Sequence, residues 1–149
     1  MIFPSVTGQN LLRQKVDLPK AFEGESNILF IAFLRWQQAS IDSWMPFVSE
    51  LEREHPQLRY YELPTIQRMN WLSRTFINEG MRAGIPDGKA RARTITLYLD
   101  KGSFMEALSI PHEAEISVLL IGKDGEVIWR TMGSFTPEKG QGLLSALQS

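Results

Sequence analysis

The segment from Ile28 to Leu34 consists of apolar residues only. An uninterrupted apolar run of this length is typical of a central β-strand that is covered on both faces. Directly after it, apolar residues recur at spacings of three and four, which places them on one face of a helix of about four turns. These residues are Ile41, Trp44, Met45, Val48 and Leu51. A buried strand followed at once by an amphipathic helix predicts an α/β fold.

Strand-like and helix-like segments continue to alternate to the end of the chain. Further strands are predicted at Leu58–Leu63, which Pro64 ends, at Arg93–Asp100, and at Glu115–Ile121 and Glu126–Met132 around the Asp124-Gly125 turn. Three more helices are predicted from the apolar series Ile66, Met69, Leu72 and Phe76, from the capping pair Ser103 and Glu106, and from Thr136 before Pro137.

The residues before the first core strand predict a marginal hairpin. Extended pieces are expected around Leu11–Leu12 and Val16–Leu18, with Gly8 and Asn10 as turn residues. No repeat or linker divides the rest of the chain, and 43% apolar residues are enough for one core in 149 residues. We therefore expect a single domain over residues 1–149, with a hairpin extension over 1–24 and a core over 25–149.

Composition excludes several classes of function. The formal net charge of -1 gives no general attraction to nucleic acid or to an anionic membrane. The apolar run is far shorter than the ~20 residues that a membrane span needs. No glycine-rich phosphate loop precedes a predicted helix. Met1 to Pro4 lacks the start of a secretory signal, which predicts a cytoplasmic protein. The charge, the short apolar run and the missing phosphate loop together predict no nucleic-acid partner, no membrane span and no cofactor.

The predicted order of elements is β-α-β-α-β-α-β-β-α, and short motifs accompany it. They are Pro4, Val6, Gly8, Val16, Leu18 and Gly24 before the first core strand, and Phe33 and Pro46 around the start of the first helix. In this order and these motifs nearly the whole chain resembles the thioredoxin-like superfamily, in the branch that holds membrane-anchored thiol reductases and peroxiredoxins. The resemblance implies a thioredoxin-like fold with a central mixed sheet flanked by helices.

The resemblance also implies positions for the family's active-site residues. Counting back from Pro46 matches the two cysteines with Gln38 and Ile41. With Asp124-Gly125 as the hairpin turn, the family's cis-proline matches a position near Ile116. Trp36 lies one residue from the family's tryptophan, so an offset of one stays open. Because the chain has no Cys, it has no thiolate for thiol-disulfide or peroxidase chemistry. The lack of a proline near Ile116 speaks against the family's peptide-docking geometry.

A second resemblance covers the C-terminal third, from Thr94 to Glu138. The segments Thr94–Asp100 and Ser117–Ile121, with Asp124-Gly125 and Val127–Arg130, are similar to the mitochondrial assembly-factor family of the ATP synthase membrane sector. Members of that family are thioredoxin-like and act as assembly chaperones without redox cysteines. The similarity implies a binding role.

The junction between the first core strand and the first helix is the candidate functional edge. Loops at the carboxyl ends of parallel strands carry the sites of α/β proteins, and Trp and Arg dominate binding hot spots. The candidate residues are Arg35, Trp36, Gln37, Gln38, Ser40, Ile41 and Trp44, with Arg82 and Ile116 completing the edge. They predict a non-redox domain that binds another protein, as an assembly or folding helper. An equally good interpretation places Trp44 in the core and Trp36 as a cap on the sheet.

Two other functions stay open. One is a small-molecule binder or thiol-independent enzyme that uses Ser40, Gln38, Arg35 and Arg82 as polar groups. The other is a structural or oligomeric module without a ligand. A nucleophilic Ser40 would need a base, and the two imidazoles, His55 and His112, are expected in capping or solvated positions.

Charged clusters have simple interpretations. We expect Glu50, Glu52 and Glu54 to lie on a solvated helix face, which predicts no metal site. Lys89, Arg91 and Arg93 alternate with alanines, and we expect them to keep a strand edge soluble.

Overall fold

The computed structural model describes residues 1–68 and 92–149. Its strands are β1 (Val6–Asn10), β2 (Lys15–Leu18), β3 (Ser26–Ala32), β4 (Leu58–Gln67), β5 (Ile95–Leu99), β6 (Ser117–Gly122) and β7 (Val127–Met132). Its helices are a 3₁₀ turn (Arg35–Gln37), α1 (Gln38–Glu54), α2 (Lys101–Ala107) and α3 (Pro137–Gln148). Met69, Leu72 and Phe76 of the second predicted helix lie outside the described residues, as do Arg82, Lys89 and Arg91.

Within the described residues, the strands form one mixed sheet in the order β2-β1-β5-β4-β3-β6-β7. β4 runs parallel to β3 and β5, whereas β6 is antiparallel to β3 and β7. The apolar run has its predicted place inside the sheet, between β4 and β6. The N-terminal hairpin joins the same sheet through antiparallel pairing of β1 with β5. Where an extension ends and a core begins stays a prediction.

Side chains of β3 alternate between two hydrophobic cores, as the two-residue period of a strand requires. Leu29, Ile31 and Phe33 pack in the core that α2 and the N-terminal residues cover. Ile28 and Phe30 pack in the core that α1 and α3 cover. Helices therefore flank both faces of the sheet, and the predicted α/β architecture is confirmed.

The N-terminal hairpin differs from its prediction. β1 includes Gly8 and Asn10, and Leu11–Leu12 form the turn. This strand position holds a glycine because β5 passes very close to it: a Cβ on Gly8 would lie 2.6 Å from Ile95 Cγ2. The Asn10 carboxamide oxygen accepts hydrogen bonds from the backbone N–H groups of Leu12 and Gln14 and so closes the turn.

Three boundaries also differ from prediction. Pro64 does not end its strand, because it lies where pairing of β4 with β3 ends and its continuous pairing with β5 begins. Ile66 accordingly belongs to β4 and not to a helix. α2 starts before Ser103, since Asp100 is its cap and accepts a hydrogen bond from the Gly102 N–H at 3.1 Å. The third helix start is confirmed, with Thr136 as cap and Pro137 in the first turn.

In the described ranges, 1–68 and 92–149, no helix combines the length and the apolarity needed to cross a bilayer.

Candidate functional site

The site lies where the chain leaves β3, makes one 3₁₀ turn and enters α1. Arg35 and Trp36 in this turn are exposed, and 63% of the Trp36 surface is accessible. Gln37 turns the other way and is completely buried. The turn thus presents Trp36 outward while its next residue lies in the interior, so Gln37 is not part of an exposed edge, contrary to the prediction.

The Gln37 side chain satisfies backbone groups on two sides. Its oxygen accepts hydrogen bonds from the N–H groups of Phe33 at 2.8 Å and Leu34 at 3.2 Å. Its nitrogen donates to the Glu113 carbonyl at 2.6 Å. A buried amide with all of these partners avoids the penalty of unpaired polar groups. Gln37 therefore ties the end of β3 to residues 111–116, the segment that precedes β6.

Gln38, the residue matched with the family's first cysteine, is exposed and bridges two carboxyl groups. Its Nε2 donates to Asp42 Oδ1 and to Glu62 Oε1, both at 3.0 Å. Burial raises the pKa of the Glu62 carboxyl above its usual range; the Gln38 amide partly lowers it, and the nearby Asp42 carboxylate raises it again. The position that the resemblance matches with a cysteine thus holds an amide next to two carboxyl groups, and an amide is not a nucleophile.

Within residues 1–68 and 92–149, Ser40 is hydrogen-bonded to another hydroxyl and not to a base. Its Oγ lies 2.9 Å from Ser134 Oγ, and Ser43 Oγ donates to the Ser40 carbonyl and accepts from the Phe135 N–H. These contacts join α1 to residues 133–136, which lead into α3. Ser40 is a connecting residue in this geometry.

The two histidines have local partners. His55 Nδ1 lies 3.0 Å from the Leu51 carbonyl at the end of α1, and His112 Nδ1 accepts a hydrogen bond from the Ala114 N–H. Neither ring forms a hydrogen bond with Ser40 in the described part of the chain.

Ile41, Trp44 and Ile116 belong to the core, which corrects their prediction as edge residues. At most 2% of the surface of each residue is exposed. Trp44 packs against Phe30 and Phe135, and its indole N–H donates to the Gly133 carbonyl at 3.0 Å. Their apolar surface is removed from water by α1 and α3, so it is not available to a partner. The core interpretation of Trp44 was the correct one.

The loop before β6 is joined by a backbone hydrogen bond to the residue that follows β7. The Ile116 carbonyl accepts a hydrogen bond from the Gly133 N–H at 2.9 Å. The described residues contain one cis peptide, Leu18–Pro19, far from this loop. Arg82, the remaining candidate residue, lies outside the described residues.

Sequence reasoning missed Asp42, Glu62 and Ser134, which contact the candidate residues directly. A signal for Glu62 was present: it follows Leu58 and Tyr60 on the face of β4 that meets α1, and a carboxyl next to apolar residues on a core-facing side is unusual. Ser134 lies in an irregular segment, where no periodicity indicates which side chain turns toward α1.

A mostly buried ion pair at the far end of α1 corrects two further predictions. Arg93 Nη2 lies 2.8 Å from Glu52 Oε1, with 12% and 17% of the two side chains exposed, and its guanidinium lies 4.2 Å from the Tyr60 ring centroid. Glu52 thus does not lie on a solvated helix face, and Arg93 does not serve to keep a strand edge soluble. The pair joins α1 to β4 and to the start of β5.

A separate cleft of about 570 Å³ opens between the hairpin and the β6–β7 turn. Its lining includes Thr7, Asp17, Pro19, Lys20 and Lys123, and none of the candidate edge residues. Among the described residues, no three His, Asp or Glu side chains converge on a point that could hold a metal ion.

Comparison with known proteins shows similarity of fold. No protein-family model and no curated protein sequence matches the chain. The exposed lipoprotein thioredoxin Etrx1 of Streptococcus pneumoniae superposes with a TM-score of 0.59 at 15% identity, over 97% of this chain and 98% of Etrx1.

Two further solved structures give the same result. The thioredoxin domain of a thiol-disulfide oxidoreductase from Bacteroides vulgatus superposes with a TM-score of 0.61 at 13% identity, over 100% of this chain and 96% of that one. StoA from Bacillus subtilis superposes with a TM-score of 0.56 at 12% identity, over 98% of each chain. The predicted thioredoxin-like fold is confirmed. The similarity of residues 94–138 to the assembly-factor family stays a prediction.

Proposed function

We propose that this chain is a non-redox thioredoxin-like domain that binds another protein, as an assembly or folding helper, through the candidate edge. Among the described residues the edge is smaller than the sequence suggested: it consists of Arg35, Trp36, Gln38 and Ser40, with Asp42 and Glu62 beside them. Arg82 stays a predicted member of the edge. The observation that carries the proposal is the exposure of Trp36, at 63% of its surface, in a turn whose neighbouring residue is firmly held inside.

An exposed tryptophan next to an exposed arginine favours protein binding over a solvated loop. Burying one indole removes a large apolar surface from water, and Trp and Arg are the residues most enriched at binding hot spots. Most other large apolar side chains of the described residues are covered by the two cores. Leaving Trp36 uncovered is unfavourable for the isolated molecule, and a partner would remove that cost.

Polar groups around Trp36 supply a rim. Gln38 and Asp42 are exposed, and Ser134 is exposed beside Ser40. A rim of hydrogen-bonding groups around an aromatic anchor is the usual arrangement of a protein interface. The small-molecule and enzyme alternatives gain no comparable support from the described residues, in which the cleft lies at the hairpin and Ser40 is hydrogen-bonded to Ser134. The cytoplasmic location stays a prediction.

A random peptide library displayed on phage tests the proposal. Peptides enriched on the wild-type protein should bind Trp36→Ala about 30-fold more weakly, which corresponds to the loss of one hot-spot side chain. Arg35→Ala should weaken the same peptides in the same direction. Dissociation constants measured by fluorescence anisotropy give the comparison.

Leu12→Ala is the matched control, since Leu12 is also an exposed apolar residue but lies in the β1–β2 turn. Its affinity for the selected peptides should equal that of the wild type. Peptides that bind Trp36→Ala as well as the wild type would refute the assignment of the edge, and so would a library that yields no enriched peptide.

A further inference from the structure

Gln37, the residue after Trp36, joins two segments that are far apart in sequence. One is the turn of residues 35–37, and the other is the loop of residues 111–116. The Gln37 amide spans them, with its nitrogen 2.6 Å from the Glu113 carbonyl and its oxygen on the N–H groups of Phe33 and Leu34. One buried side chain thus makes three hydrogen bonds to backbone on both sides of the gap.

The loop is also fixed from its other sides. Lys101 Nζ of α2 pairs with the Glu113 carboxylate at 2.9 Å, and the Ile116 carbonyl accepts from the Gly133 N–H. These contacts hold the loop to α2 and to the residue that follows β7, whereas the hydrogen bond from Gln37 holds it to the turn that carries Trp36. Removing the Gln37 amide would leave the Phe33 N–H, the Leu34 N–H and the Glu113 carbonyl without this partner, a costly outcome for buried groups.

We propose that Gln37 is a positioning residue that fixes the distance between the start of α1 and the loop 111–116. Trp36 and the loop then form one surface that is already ordered in the free protein. Binding a partner therefore costs this protein little conformational entropy. The functional half of this inference rests on the proposed function. The distance itself does not, because it is a property of the free protein.

The absence of cysteine from the whole sequence permits a direct measurement. Ala39→Cys at the start of α1 and Ala114→Cys in the loop, both at exposed positions, accept a pair of spin labels. Pulsed electron–electron double resonance then gives the distribution of distances between the two segments. The doubly labelled protein should show a single narrow distribution.

In the labelled background, Gln37→Met keeps the length of the side chain but removes its hydrogen bonds. We expect it to broaden the distance distribution about twofold, because local opening is no longer opposed by this tie. Gln37→Asn is a milder second variant that keeps an amide but is too short to span the gap, and it should broaden the distribution as well. Thr65→Val is the control: it removes a buried hydrogen bond, from Thr65 Oγ1 to the Leu63 carbonyl, in the middle of the sheet, and should leave the distribution narrow.

Three results would overturn the inference: an unchanged distribution in folded Gln37→Met, equal broadening in Thr65→Val, or failure of both Gln37 variants to fold, which would make Gln37 a general core residue. Peptides selected on the wild type should bind Gln37→Met about tenfold more weakly. If no peptide is selected, the proposed function fails while the distance result stands. If the distance result fails, a peptide that depends on Trp36 still supports the proposed function.

Discussion

Gln38 occupies the position that the resemblance matched with a cysteine, and its amide lies between the carboxyl groups of Asp42 and Glu62. A thiolate at this point would lie next to two carboxyl groups, whereas the Gln38 amide donates a hydrogen bond to each. Glutamine therefore fits these surroundings better than a thiolate would. The pKa of Glu62 is raised because this carboxyl is partly buried on the face of β4 that meets α1.

Replacing Glu62 by Gln should change how stability depends on pH. Burial raises the pKa of Glu62 in the folded protein above its usual value of 4.5, so the folded state holds more protons than the unfolded chain between these two values. The stability that protonated Glu62 provides is present below this window and is lost as the pH rises through it. Glu62→Gln does not titrate, so its free energy of unfolding should gain on that of the wild type between about pH 4 and about pH 7.

Urea unfolding at the two pH values checks this expectation. Glu106→Gln is the control, since Glu106 is an exposed carboxyl on α2, and its stability should follow the wild type at both. A constant difference between Glu62→Gln and the wild type across this range would contradict the assigned direction of the pKa shift.

At the level of elements, the described helices α1, α2 and α3 begin in different ways. α3 has a side-chain cap from Thr136, and α2 has one from Asp100. α1 has no side-chain cap and follows directly from the 3₁₀ turn that Gln37 holds from inside. A long-range hydrogen bond thus fixes the start of α1 and, with it, the turn that carries the exposed Trp36.

The start of α2 provides a prediction at this scale. Asp100→Ala removes the acceptor of the Gly102 N–H and should cost about 1 kcal/mol of stability, as is usual for a lost cap. Ser103→Ala removes only an exposed hydrogen bond to the Asp100 carboxylate and should cost less, about 0.5 kcal/mol. Urea unfolding of both variants gives the comparison. A larger loss for Ser103→Ala would restore the capping-box assignment from the sequence.

For the molecule as a whole, periodic patterns predicted the fold well. The apolar run at 28–34 became an interior strand, the stripe from Ile41 to Leu51 became the buried face of α1, and Asp124-Gly125 became a hairpin turn. These features are local, and a single period in sequence indicates which face is buried.

The candidate site was predicted only in part, for physical reasons. Gln37 and Trp36 are neighbours in a 3₁₀ turn, where no period shows which side chain turns inward. The answer depends on Glu113, a residue far along the chain that supplies the carbonyl for Gln37. Whether the strand continues past Pro64 likewise depends on which neighbouring strand β4 pairs with. The order of strand pairing is a property of the assembled sheet.

A nuclear magnetic resonance titration tests the central claim of partner binding at the edge. The ¹⁵N-labelled protein is titrated with the tightest peptide selected from the library, and backbone amide shifts are mapped onto the structure. The account predicts that the largest shifts fall in residues 35–42, 111–116 and 133–136 and disappear in Trp36→Ala. Shifts concentrated around the separate cleft, at Thr7, Asp17, Lys20 and Lys123, would contradict it.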